Sequence, residues 1–245
     1  MYLQRSPQLI RARLPWVVGQ AGLVAAAVFI YFRIRGLTES SVEVARAHAH
    51  HIMTIERFFG IDFEARLQSA VAPSESLETL ANWIYIWGHW PVIIATMIWL
   101  AWQHRAVFLR LRDSMMLSGA LGMLVFVTLP VAPPRLAGLG MEDTVSEHSH
   151  AYRVLQPPAF VNQYAAMPSL HTGWDLLVGI SIVTAATSLA LKLVGFTMPM
   201  LMAFAVVATA NHYILDVLAG VMLVLVGHVI ALRFEQQRHR HPRSS

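Results

Sequence analysis

The chain has no cysteine among its 245 residues, which excludes a disulfide scaffold. Charge is scarce: only 13% of residues are Asp, Glu, Lys or Arg, about half the ~25% of an ordinary soluble domain. A water-soluble globule of this length would lack polar groups to coat itself. The same scarcity excludes a disordered chain, which needs high charge and low hydrophobicity. No internal repeat and no Gly-rich nucleotide loop is visible. The net charge of +4 is small and does not point to nucleic acid.

What is present is apolar sequence. Hydrophobic residues make up 56% of the chain and mean hydropathy is +0.52, enough for six crossings at roughly 20 residues each. Six stretches stand out, at about 15–32, 80–103, 114–131, 170–191, 195–210 and 213–232. The expected fold is therefore all-α, a polytopic membrane protein with six transmembrane helices. Arg5, Arg11 and Arg13 precede the first stretch, as in a secretory signal. Its core is longer than a signal's, and Arg33 and Arg35 follow directly, so it reads as a retained anchor.

Lys and Arg accumulate on the cytoplasmic side of membranes. With the N-terminus inside, the inner segments hold 11 of the 18 basic residues, and the outer loops hold 10 of the 14 acids. Both termini are expected to be cytoplasmic. Four parts follow. Residues 1–35 are the cytoplasmic N-terminus and first span. Residues 36–79 are extracytoplasmic, with apolar residues at helical spacing among charges, and read as amphipathic helices at the interface. Residues 80–233 form the main helical bundle, and 234–245 a basic cytoplasmic tail that meets anionic lipid heads.

Two polar clusters lie at the outer ends of spans, where ionisable groups are costly and mark function. The first is Met167-Pro168-Ser169-Leu170-His171. Pro168 suits the first turn of a helix. Ser169 at the helix start lies where free N–H groups and the helix dipole favour an anion such as phosphate. His171 is near enough to donate a proton to a leaving group. The bland alternative is a Pro-Ser helix cap with an interfacial His. The second cluster is Asn211-His212-Tyr213-Ile214-Leu215-Asp216. His212 and Asp216, four apart, share a helix face, and a carboxylate on one ring nitrogen raises the basicity of the other. That is half of a nucleophilic or basic dyad; a polar helix–helix contact is the alternative. By the charge count both clusters face the same side of the membrane.

AAMPSLHTGW, followed about forty residues later by NHYILDVLAG, resembles the second and third signature motifs of the type 2 phosphatidic acid phosphatase superfamily. The Leu of PSLH and the APPR segment resemble its inositol phosphorylceramide synthase branch, over roughly residues 80–233. The resemblance implies that His212 attacks phosphorus and forms a phosphohistidine, with Asp216 orienting it. His171 would protonate the departing oxygen, and Ser169 with nearby N–H groups would hold the phosphoryl oxygens. In the synthase branch a second alcohol takes the phosphoryl group, and His212 alternatively acts as base toward it.

The chain departs from the family pattern. The first motif's Lys and Arg, seven apart and followed by Pro, are not matched: Thr128 lies seven before Arg135 and Leu136 follows it. The Arg expected six before the third-motif His is Val206. Phosphoryl transfer depends on positioning and charge, so other cations must substitute; Arg135 is the first candidate and Arg153 the second. Asp175, four after His171, would orient it or bond within the bundle. Tyr164 precedes the PSLH turn and would contact a headgroup or serve the loop. His89 would line the cavity or pack, and Asn211 would cap the sixth helix. His48, His50 and His51 have no acidic or Cys partner that completes a metal set.

The expectation is a phosphoryl-transfer enzyme on lipid phosphates or lipid phosphodiesters, set in a bacterial cell membrane with its site on the extracytoplasmic side. Three readings stay open: a synthase-like phosphotransferase, a phosphatidate or polyprenyl phosphate hydrolase, and a non-catalytic lipid-binding protein. Its partners would be the bilayer and a lipid substrate, with no nucleic acid, no cofactor and no metal.

Overall fold

The computed structural model describes residues 7–37, 41–145 and 162–240. Helix follows helix: α1 (Pro7–Leu37), α2 (Val42–Phe59), α3 (Glu64–Val71), α4 (Glu75–Trp87), α5 (Trp90–Gln103), α6 (Arg105–Thr128), a 3-10 turn (Pro134–Leu136), α7 (Leu170–Ala185), α8 (Leu189–Ala208) and α9 (Ile214–Arg240). Among the described residues the nearest thing to a sheet is one isolated parallel bridge, Val131 to Ala165.

Four helices are long and apolar enough to cross a bilayer: α1, α6, α8 and α9. A fifth is made if α4 and α5 count as one span bent by 43°. The sequence reads as one continuous stretch there, and the break has a local cause. Pro91 stands in the first turn of α5; it has no N–H to give, and its ring crowds the carbonyl four residues back, at Trp87. The remaining expected span, α7, has 16 residues and so runs only about 24 Å, short of a ~30 Å hydrocarbon core.

That short helix is the centre of the bundle. Ten of its sixteen residues are buried, and it packs against α5, α6, α8 and α9. Two tight crossings hold it. A Cβ on Gly173 would stand 2.6 Å from a Val224 methyl, and one on Gly220 would stand 2.2 Å from the Ser169 carbonyl oxygen. Only glycine lets α9 approach the start of α7 this closely. By contrast, the apolar window of α1 has none of its residues buried, so α1 is the peripheral helix.

Helices α2, α3 and α4 are tied to the loops beside the bundle. The buried face of α2 carries Ala45, Ala49, Ile52, Met53 and Glu56 and packs with Val131, Ala132, Ala166 and Tyr213. The side chain of Gln68 on α3 bonds to both main-chain groups of Glu142 (2.8 and 3.1 Å). Asn82 on α4 bonds to Thr144 (3.2 Å). These helices and the loop after the 3-10 turn therefore form one wall beside the start of α7.

Candidate active site

The helix of the first cluster begins two residues later than its sequence implies. Helix α7 starts at Leu170 with Ser169 as N-cap, so Pro168 precedes the cap rather than sitting in the first turn, and its peptide bond is cis. Ser169 is fully buried. Its Oγ accepts weakly from the Thr172 N–H (3.5 Å) and donates to Thr172 Oγ1 (3.4 Å). Its own N–H donates to the Asp216 carbonyl (2.9 Å). The two clusters are thus joined by a backbone hydrogen bond.

The second cluster hangs from a tight turn after α8. The N–H groups of Asn211 and His212 both donate to the Val206 carbonyl (3.0 Å each). Ala210 there has φ 52°, a left-handed conformation that costs a non-glycine residue about 1–2 kcal/mol. The Arg135 N–H holds this residue by donating to the Ala210 carbonyl (3.1 Å). Tyr213 is fully buried and its hydroxyl donates to the Ala132 carbonyl (3.0 Å).

His212 is buried. Its Nδ1 lies 2.8 Å from the Ala166 carbonyl oxygen and 3.4 Å from Asp216 Oδ2. Both neighbours are acceptors, so Nδ1 carries the proton and Nε2 keeps its lone pair. The same Oδ2 accepts the Tyr213 N–H (2.9 Å), which fixes the carboxylate. The His171 ring lies 5.8 Å from that of His212, centroid to centroid. On its other sides His171 meets Tyr85, stacked at 4.8 Å, and His89 at 4.4 Å. Two imidazoles, those of His212 and His171, stand side by side.

Asp175 does not orient His171 as its spacing implies. It is fully buried, and its Oδ1 takes His89 Nδ1 at 2.8 Å. The i,i+4 position on α7 is outweighed by a ring reaching in from the break between α4 and α5. His89 is buried between His171 and Trp174. Nor does Asn211 cap the last helix: its amide donates to the carbonyl and hydroxyl of Thr209 (3.2 and 2.8 Å).

The caps come from elsewhere. Glu64 Oε1 accepts the Ile214 N–H (2.9 Å) and Glu56 Oε1 the Leu215 N–H (2.7 Å). Both side chains are fully buried. Sequence reasoning missed them, although a signal was there: Glu56 falls three and four residues after Met53 and Ile52, on the apolar face of α2. Burial and the facing Glu64 and Asp216 push the Glu56 carboxyl up to about 8. Burial, with Asp216, Glu56 and Glu64 nearby, also pushes the Tyr213 phenol up.

Of the two candidate cations, Arg135 is nearly buried, and its Nε donates to Asp143 Oδ2 at 3.0 Å. Asp143 lies between Glu142 and Thr144, the two residues tied to α3 and α4, so the wall that carries it is firm. Arg46, which sequence reasoning did not single out, donates from Nε to the Leu136 carbonyl (3.0 Å), beside Arg135. Arg153 lies outside the described residues. Tyr164 is half-buried against the cluster containing Tyr213. Its N–H donates to Asn162 Oδ1 (2.9 Å), and its carbonyl accepts from Val131 (2.7 Å).

A sequence profile described as the PAP2 superfamily matches residues 50–230, a span that takes in His89, Arg135, Ser169, His171, Asp175, His212 and Asp216. No curated protein and no solved structure matches the chain.

Proposed function

The chain belongs to the PAP2 superfamily, and on that premise we propose a membrane phosphotransferase that acts on a lipid phosphoester through His212. The observation that carries this reading is the pair of acceptors on His212 Nδ1, the Ala166 carbonyl and Asp216. They leave the Nε2 lone pair for phosphorus.

In the first step Nε2 attacks phosphorus, an N–P bond forms and the P–O bond to the leaving group breaks. His171 gives its proton to the departing oxygen. The imidazole then carries positive charge, which Asp216 offsets. In the second step the acceptor hydroxyl loses its proton to His171, and its oxygen takes the phosphoryl group from His212. Arg135 and the capped start of α7 at Ser169 hold the phosphoryl oxygens.

The burial of His212 and Ser169 supports an alcohol over bulk water as acceptor, as in the inositol phosphorylceramide synthase branch. In this reading α7 is the sixth crossing, and the site opens on the extracytoplasmic side with both termini in the cytoplasm. A reporter fused at the C-terminus checks that sidedness by giving a cytoplasmic signal.

The test of function offers purified protein a panel of lipid phosphates and phosphoinositides, with and without lipid alcohols. Free phosphate and new phospholipid are both followed, in wild type and His212→Ala. New phosphodiester that depends on acceptor and on His212 supports the proposal. His212-dependent free phosphate without acceptor makes the protein a lipid phosphatase. Turnover unchanged in His212→Ala removes His212 from the reaction.

A further inference from the structure

The first turn of α9 carries Asp216, the partner of His212 just before the helix, and three carboxyl groups meet the N–H groups at this helix start. Asp216 takes Tyr213, Glu64 takes Ile214 and Glu56 takes Leu215. Helix N-termini favour one negative charge. Three ionised carboxylates, all fully buried, would repel one another at a cost no single helix end offsets. The second oxygens of Glu56 and Glu64 also have no hydrogen-bond donor among the described residues. The two carboxyl groups take consecutive N–H groups of one helix end, Ile214 and Leu215, which sets them side by side.

One proton resolves both problems. Placed on one Oε2 and donated to the other, it satisfies two orphan oxygens and removes one of the three charges. We propose that Glu56 and Glu64 are positioning residues, a carboxyl pair sharing one proton that pins the first turn of α9 so that Asp216 stays on His212 Nδ1. The segment 36–79 then has a stated task. It brings two acids from α2 and α3 to the underside of the site, on residues 150 or more positions away in the chain.

The groups that face Glu56 are Glu64 from α3, and Asp216 and Tyr213 from the α9 end. Arg57, its neighbour on α2, is 63% exposed and turned toward Asp62. No cation among these stands in for the shared proton. Glu56 holds its proton to about pH 8 in the folded chain against 4.5 for an ordinary Glu. Between those values the folded state binds the extra proton, so stability falls as pH rises through the window and levels off above it.

The experiment compares wild type, Glu56→Gln and Glu56→Leu in detergent. Gln keeps the acceptor for Leu215 and donates a permanent N–H toward Glu64 in place of the shared proton; Leu does neither. Three readouts are taken: the infrared C=O band of a protonated carboxylic acid between about pH 6 and about pH 9, the melting temperature over the same range, and kcat and KM for the transfer reaction. The infrared and thermal arms need no turnover, so they stand even if the phosphotransferase reading on which the kinetic arm rests fails.

The expected result is a protonated-carboxyl band in wild type that is lost toward pH 9 and is missing from Glu56→Gln. The melting temperature of wild type falls over the same range, and that of Glu56→Gln is flat. Glu56→Gln retains kcat within about threefold, and Glu56→Leu loses about tenfold or more in kcat with little change in KM. If Glu56→Leu fails to fold, the Glu56→Gln band and melting profile still decide. A band unchanged in Glu56→Gln, or Glu56→Leu with wild-type kcat and wild-type pH profile, overturns the proposal.

Discussion

Asp175 Oδ1 lies 2.8 Å from His89 Nδ1, with both side chains almost wholly enclosed. The carboxylate that follows His171 by one helical turn thus serves a histidine from the break between α4 and α5. That histidine leans on the His171 ring, 4.4 Å away. Two His–Asp pairs therefore flank His171: His212–Asp216 on one side and His89–Asp175 on the other. The second pair links the bent α4–α5 unit to α7 and supports the ring that exchanges a proton in the proposed reaction.

Removing one member of the second pair strands the other. Asp175→Ala leaves the buried His89 Nδ1 without its acceptor, at a cost of about 1–3 kcal/mol. A lower melting temperature in detergent measures it. The double change Asp175→Leu with His89→Phe strands nothing, and its melting temperature recovers most of the loss. Turnover on the proposed reading does not recover with it, because no hydrogen bond then anchors the ring beside His171.

Glycine at the crossing of α7 and α9 is required for space. Gly220→Ala sets a methyl 2.2 Å from the Ser169 carbonyl, so α9 must move off the α7 start. The expected loss is about 1–3 kcal/mol, and the shift separates Ser169 from Asp216, so turnover falls with stability. Gly22→Ala on α1 meets nothing within 4 Å and leaves both unchanged. Melting temperature and specific activity of the two variants, measured side by side, check the contrast.

In the proposed reaction Arg135 is the cation on the phosphoryl oxygens. Arg135→Ala removes a charge-assisted contact to the phosphoryl group, about 1.5–3 kcal/mol, or roughly 10–100-fold in kcat/KM. Arg66 is the control: it is exposed and lies over the Phe63 ring, and Arg66→Ala leaves kcat/KM unchanged. Equal effects at the two positions remove Arg135 from phosphate binding.

The PSLH and NHYILD segments were legible because their chemistry is local. A Ser before a helix, and a His and Asp four apart, announce themselves within a single turn. The partners were not. His89 reaches Asp175 across 86 positions, Ile214 reaches Glu64 across 150 and Leu215 reaches Glu56 across 159. No period in the sequence encodes which buried acid faces which helix end. Spacing left Asp175 between His171 and a bond within the bundle, and only the packing of the broken α4–α5 unit gives it to His89. The break itself was half visible, since Pro91 was in plain view inside a stretch whose hydropathy ran on through it.

The central claim is that His212 is the nucleophile, and trapping the intermediate tests it most directly. Protein is mixed with the substrate lipid, without acceptor, quenched in denaturant at alkaline pH and digested, and the peptide containing His212 is read by mass spectrometry. The account predicts a phosphoryl or headgroup-phosphoryl group on His212, lost on mild acid treatment, missing from His212→Ala and discharged when acceptor is added before the quench. Full turnover with no such adduct at any time, or an adduct that persists in His212→Ala, would contradict it.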